Sequence, residues 1–166
     1  MFELKPLSPD AIPAALAKAE RYRLLNESWQ AESICLDILA VDPNHQEALV
    51  TLLLALTDQF HDAVPNIASR ARELLTKFDD EYRRAYYEGI IFERRAKAML
   101  DQHAPGSGPM IYDWLRQAMQ CYERAAAVRP AGNDDALLRW NTCVRVLRQR
   151  PHLAPRDEAY EPQLLE

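Results

Sequence analysis

The stretch LDILAVDPNHQEALVTLLLAL, residues 36–56, sets two runs of helix-forming apolar residues on either side of Asp42-Pro43-Asn44. Pro43 lacks a backbone N–H and its ring collides with the preceding turn, so no regular helix passes through it. Asp42, just before it, is pushed out of the helical region as well. One helix therefore ends near Val41 and a second begins near Asn44. The linker is so short that the two must pack as neighbours. In the second helix Leu49, Leu52, Leu53 and Leu56 recur at spacings of three and four, which marks a buried face.

The same punctuation returns later in the chain. AVDPNHQEALVTLL (40–53) is echoed by AVRPAGNDDALLRW (127–140). Both have Ala-Val, a charged residue, Pro, a short polar linker, an acidic residue, and Ala-Leu opening a new helix. Worked outward from these two points, the spacing predicts about seven helices, over 10–25, 29–41, 44–59, 63–77, 81–102, 110–128 and 134–150. Ser8 or Asp10 is expected to cap the first helix, and Asn26 to end it in the left-handed conformation. Pro65 is expected in the first turn of the fourth helix. HAPGSGP, 103–109, is the one clear loop in the body of the chain.

Composition agrees with a helical reading. The 166 residues contain only four glycines, and Ala, Leu, Arg and Glu abound. That length fits one domain, with a core large enough to stand without disulfides. Cys35, Cys121 and Cys143 each sit in an apolar helical pattern, which points to buried, reduced thiols. The opening residues lack the apolar core of a signal peptide, and no apolar run approaches the roughly 20 residues of a membrane span. A cytoplasmic protein without a membrane segment is expected.

Charge is unevenly spread around a net −5. Residues 1–66 are acidic, 67–156 are basic, and 157–166 carry Asp157, Glu158, Glu161 and Glu166 with no Lys or Arg. An acidic front, a basic back and an acidic tail speak of contacts. The basic pairs at 83–84 and 94–95 are interleaved with Glu81, Glu88 and Glu93, which argues against nucleic acid as the partner. Catalysis finds little support: His45, His61, His103 and His152 lie in separate segments without metal-ligand spacing, and no phosphate-binding glycine loop is present. No cofactor and no metal are expected.

At the helix contacts, the residues resemble the tetratricopeptide repeat family, whose helix pairs of about 34 residues carry small residues where the helices touch, an aromatic nearby and a terminal proline. Ala19, Tyr22, Ala31 and Pro43 fall at those places in the first unit, and Gly89, Phe92, Ala118, Tyr122, Ala125 and Pro130 in the third. The second unit departs from the pattern, with Leu53 at the small position and no terminal proline. The resemblance implies an all-α fold: a short right-handed solenoid of antiparallel helix pairs over 10–150, about three and a half repeats with an insertion at 95–110, then an extended acidic, proline-containing tail over 151–166.

The resemblance also implies a function: an adaptor or scaffold that binds a peptide or helix of another protein in a concave groove. The groove residues so implied are Leu16, Glu20 and Arg23; Val50, Leu54, Thr57 and Asp58; Arg83, Tyr86, Ile90, Glu93 and Arg94; and Leu138, Thr142, Arg145 and Val146. One subgroup of the family grips chaperone C-termini through a Lys/Asn clamp. Leu16 and Glu20 stand at its first-unit positions, which argues against that partner. A self-associating subunit, built through the tail and the long fifth helix, is a second expectation, and small-molecule binding between the last three helices a third. Asn141, in RWNTCVR (139–145), is placed near the contact with the sixth helix, where it would need buried hydrogen-bond partners. The tail is expected to dock on a basic surface of its own or of a second copy, with Tyr160, Leu164 and Leu165 as anchors.

Overall fold

Pro43 and Pro130 do separate helices, and the helices between such breaks pack one on the next. The computed structural model describes residues 2–62 and 64–156. Its elements are a 3-10 turn, Pro9–Ala11, followed by α1 (Ile12–Leu24), α2 (Ser28–Val41), α3 (Gln46–Asp58), α4 (Ile67–Leu75), α5 (Glu81–Gln102), α6 (Gly108–Ala127) and α7 (Asp135–Gln149). No strand occurs among the described residues. Each helix touches its successor, and α3 also touches α1 and α5. None of these helices is long and apolar enough to cross a membrane.

Local chemistry sets the boundaries. Asn26 turns left-handed, with φ 61°, and ends α1. Asp80 caps α5, its carboxylate accepting the Arg83 N–H at 2.8 Å. The ring of His45 caps α3, accepting the Ala48 N–H at 3.2 Å. Three starts differ from expectation. The Ser8 side chain makes no cap bond, because Pro9 begins a 3-10 turn and Ala11 becomes the residue before α1. α4 starts at Ile67, since Pro65 keeps the preceding residue extended and Asn66 adopts φ 60°. α6 starts at Gly108, inside the predicted loop, because Pro109 is pre-set for a first helical turn.

α3 lies at the centre: nine of its residues are buried. Around it, Ala19, Ala31, Ala118 and Ala125 are fully buried where helices meet. α5 and α6 approach closely at Gly89. A Cβ on Gly89 would lie 2.5 Å from the Tyr122 ring, which is itself fully buried. Phe92 stays partly buried, with the Arg72 guanidinium 5.6 Å above its ring.

Two sequence expectations fail here. Asn141 is exposed, because the inward side of α7 is centred on Ala136 and Cys143. The chain after α7 is not simply extended. Residues 150–153 form a turn in which the Leu153 N–H donates to the Arg150 carbonyl at 2.9 Å. That turn buries Leu153 and lays the His152 carbonyl against Gly108, where a Cβ would lie 3.1 Å from the oxygen. Tyr160, Leu164 and Leu165 lie outside the described residues.

The three cysteines are free and buried. Burial pushes the Cys35 and Cys143 thiols up to about 12 and Cys121 to about 11, from 9.0. Their contribution to stability is therefore complete below pH 9. Above it the unfolded chain ionises first, and stability falls until the folded pKa is reached. Each thiol costs at most about 1.4 kcal/mol per pH unit in that window. Urea midpoints are expected to hold steady to about pH 8.5 and fall beyond pH 9. A midpoint unchanged at about pH 10.5 would show that the thiols are open to solvent.

Candidate functional site: a trough across four helices

The C-terminal portions of α1, α3 and α5 and the first turns of α7 come together around a ladder of alternating charge. Arg23 of α1 donates from Nε to Asp58 Oδ2 at 2.8 Å. Asp58, at the end of α3, also accepts from Arg94 of α5, Nη1 to Oδ1 at 2.6 Å. The same Arg94 nitrogen reaches Thr57 Oγ1 at 2.7 Å and the Leu54 carbonyl at 3.1 Å. It thus caps the C-terminal end of α3, where the helix dipole favours a cation. Next along α5, Glu93 accepts from the Tyr122 hydroxyl and from Arg139 of α7, the latter at 3.0 Å.

The electrostatics follow from this packing. Burial, reinforced by Arg23 and Arg139, pulls the Arg94 guanidinium below its ordinary value despite Asp58. For Arg139 burial acts in the same direction, but Glu93 and a hydrogen bond with Tyr86 outweigh it, and the group ends above its ordinary value. The Tyr122 hydroxyl is held protonated by burial and by the Glu93 carboxylate beside it.

Beside the ladder opens a cavity of about 510 Å³. Its walls come from Thr57 and Asp58 of α3, Arg94, Lys97 and Asp101 of α5, and Arg139, Thr142, Val146 and Arg150 of α7 and its end. Leu115 and Cys143, both buried, add apolar surface. A second depression, of about 470 Å³, shares Asp58 and His61 with the first and extends it to Arg23, Leu24 and Trp29 at the α1–α2 corner. A third, about 420 Å³, shares Leu100, Asp101 and Arg150 and extends it to Leu153. The three form one trough from the end of α1 to the turn after α7. At its α1 end Leu24 and Trp29 are 82% and 67% exposed, apolar side chains with nothing over them among the described residues.

The sequence-predicted residues divide. Arg23, Thr57, Asp58, Glu93, Arg94, Thr142 and Val146 are brought together at the trough, with Leu54 contributing its carbonyl. Val50 and Ile90 are core residues at 8% and 1% exposure, so they present no surface. Leu16, Glu20, Leu138 and Arg145 do not line the trough. Arg83 pairs with Glu47 at 2.6 Å near the start of α5, and Tyr86 stacks on Tyr82. Lys97, Asp101, Arg139 and Arg150 were missed. They continue the stripes of Arg94 and Thr142 at helical spacings, so extending each stripe by one or two turns would have found them.

Comparison of the chain with family models, with curated proteins and with solved structures gives no match.

Proposed function

We propose that the protein is a non-catalytic binding module, an adaptor that holds a peptide segment of another protein in this trough. The observation that carries the reading is continuity. A single cavity of about 510 Å³ is the size of a small-molecule site. This one opens at both ends into further depressions and crosses four helices, which suits an extended segment with several side chains. The apolar end at Trp29 and Leu24 offers an anchor, and the charge ladder offers orientation.

A stacked arrangement of helix pairs, similar to a short tetratricopeptide-type solenoid, is part of the same proposal. It is supported by the contacts of α3 with both α1 and α5, and by small buried residues at the helix contacts. A non-catalytic role is supported by Cys143, the thiol at the cavity. Burial pushes it up to about 12, so it is protonated and a poor nucleophile at neutral pH. The buried thiols also suit the reducing cytoplasm.

Panning a random peptide library displayed on phage against the full chain tests the reading. Selected peptides should bind about tenfold or more weakly to Thr142→Trp, which fills the cavity, and equally well to Leu137→Glu, away from it. Binding lost in Leu137→Glu and kept in Thr142→Trp would refute the assignment.

A further inference from the structure

We infer that residues 157–166 of this chain occupy the α5–α7 part of the trough and compete there with a partner, an inference that rests on the trough being a binding site. The turn at 150–153 carries the argument. Leu153 is only 5% exposed, and the His152 carbonyl packs so closely on Gly108 that a side chain there would crowd it. These contacts fix the chain at the lip of the trough, where Leu100, Asp101 and Arg150 belong to both adjoining depressions. From Arg156 the next ten residues can extend roughly 33 Å, enough to reach along the cavity.

Charge selects this occupant. Residues 157–166 carry four carboxylates and no base. Within the cavity Arg94 and Arg139 are committed to Asp58 and Glu93. Among the described residues Asp101 has only His61 as an ion-pair partner, at 3.7 Å. Lys97 and Arg150 have no ion-pair partner among the described residues. Two cations at the mouth, facing an acidic segment tethered beside them, favour docking at high effective concentration. Tyr160 and Leu164 are the side chains suited to the apolar surface at Leu115 and Val146.

The test uses the full chain, with Ala159→Cys carrying a nitroxide; the buried native thiols react slowly. Paramagnetic broadening is expected at the amides of Lys97, Thr142, Val146 and Arg150. It should vanish when Lys97→Glu and Arg150→Glu are combined in a variant whose circular dichroism is unchanged. Broadening absent from those amides overturns the inference. So does broadening that appears only on isotope-labelled protein mixed with a separate spin-labelled copy, since the occupant is then a second molecule.

Competition gives an independent readout. If the segment fills the trough about nine-tenths of the time, a chain with Asp157→Asn, Glu158→Gln and Glu161→Gln should bind a trough-selected peptide about tenfold more tightly. Equal binding by both chains overturns the inference and leaves the binding reading standing. Broadening at the four amides without peptide binding to either chain leaves the docked segment standing and removes the binding reading together with the competition.

Discussion

Gly89→Val is expected to destabilise the protein by about 3 kcal/mol, the upper range for forcing extra methyl groups into a packed core. For a chain of this size that corresponds to a fall in Tm of about 6–12 °C. The cause is the Tyr122 ring. A Cβ at position 89 would meet it at 2.5, 2.8 and 3.0 Å. The ring cannot step aside, because Tyr122 is fully buried, its hydroxyl is engaged by Glu93 and the Tyr86 ring lies 5.9 Å away. Gly89→Ala should cost less, since alanine recovers up to about 1 kcal/mol of helix propensity that opposes the clash. Pairing Gly89→Val with Tyr122→Leu should restore part of the loss, because the two residues touch and their effects cannot add. Urea denaturation measures all three. An unchanged midpoint for Gly89→Val would mean that α5 and α6 are farther apart than described.

Asp58→Ala is expected to cost about 2–3 kcal/mol, near the lower end for breaking a desolvated ion pair. One carboxylate serves two guanidinium groups, Arg23 and Arg94, with side chains 24%, 18% and 21% exposed. Its removal leaves Arg94, already disfavoured by burial and by two neighbouring arginines, without its counter-charge. Asp58→Asn retains an acceptor and should cost less. A loss below about 0.5 kcal/mol would show that the ladder is screened by water in the manner of ordinary surface pairs.

Much of the fold was legible because it is written in local chemistry. Pro43 and Pro130 mark breaks by steric necessity, Asn26 tolerates the left-handed turn, and Asp79-Asp80-Glu81 announces a helix N-terminus. The bounds of α5 were read correctly at both ends. Gly89 was singled out as a contact residue, and the structure supplies the reason in the Tyr122 ring.

What escaped the sequence depends on neighbours distant along the chain. The family resemblance implied a groove surface for Val50 and Ile90, but α3 and α5 are each covered on more than one side, and α3 on nearly all. On α7 half of the predicted residues face the cavity. Thr142 and Val146 line the cavity, but Leu138 and Arg145 do not and Arg139 was passed over, since Trp140, Val144 and Leu147 are only partly buried and mark the inward face loosely. Leu153 looked like part of a solvated tail. Its burial depends on the absence of a side chain at Gly108, a long-range match that no local pattern carries.

The most direct test of the central claim is to map amide chemical shifts of the full chain as a library-selected peptide is added. The account predicts that shifts concentrate on residues 57–61, 94–101 and 139–150, with the Trp29 indole joining them. Shifts confined to the exposed faces of α2, α4 and α6, with the trough silent, would contradict it.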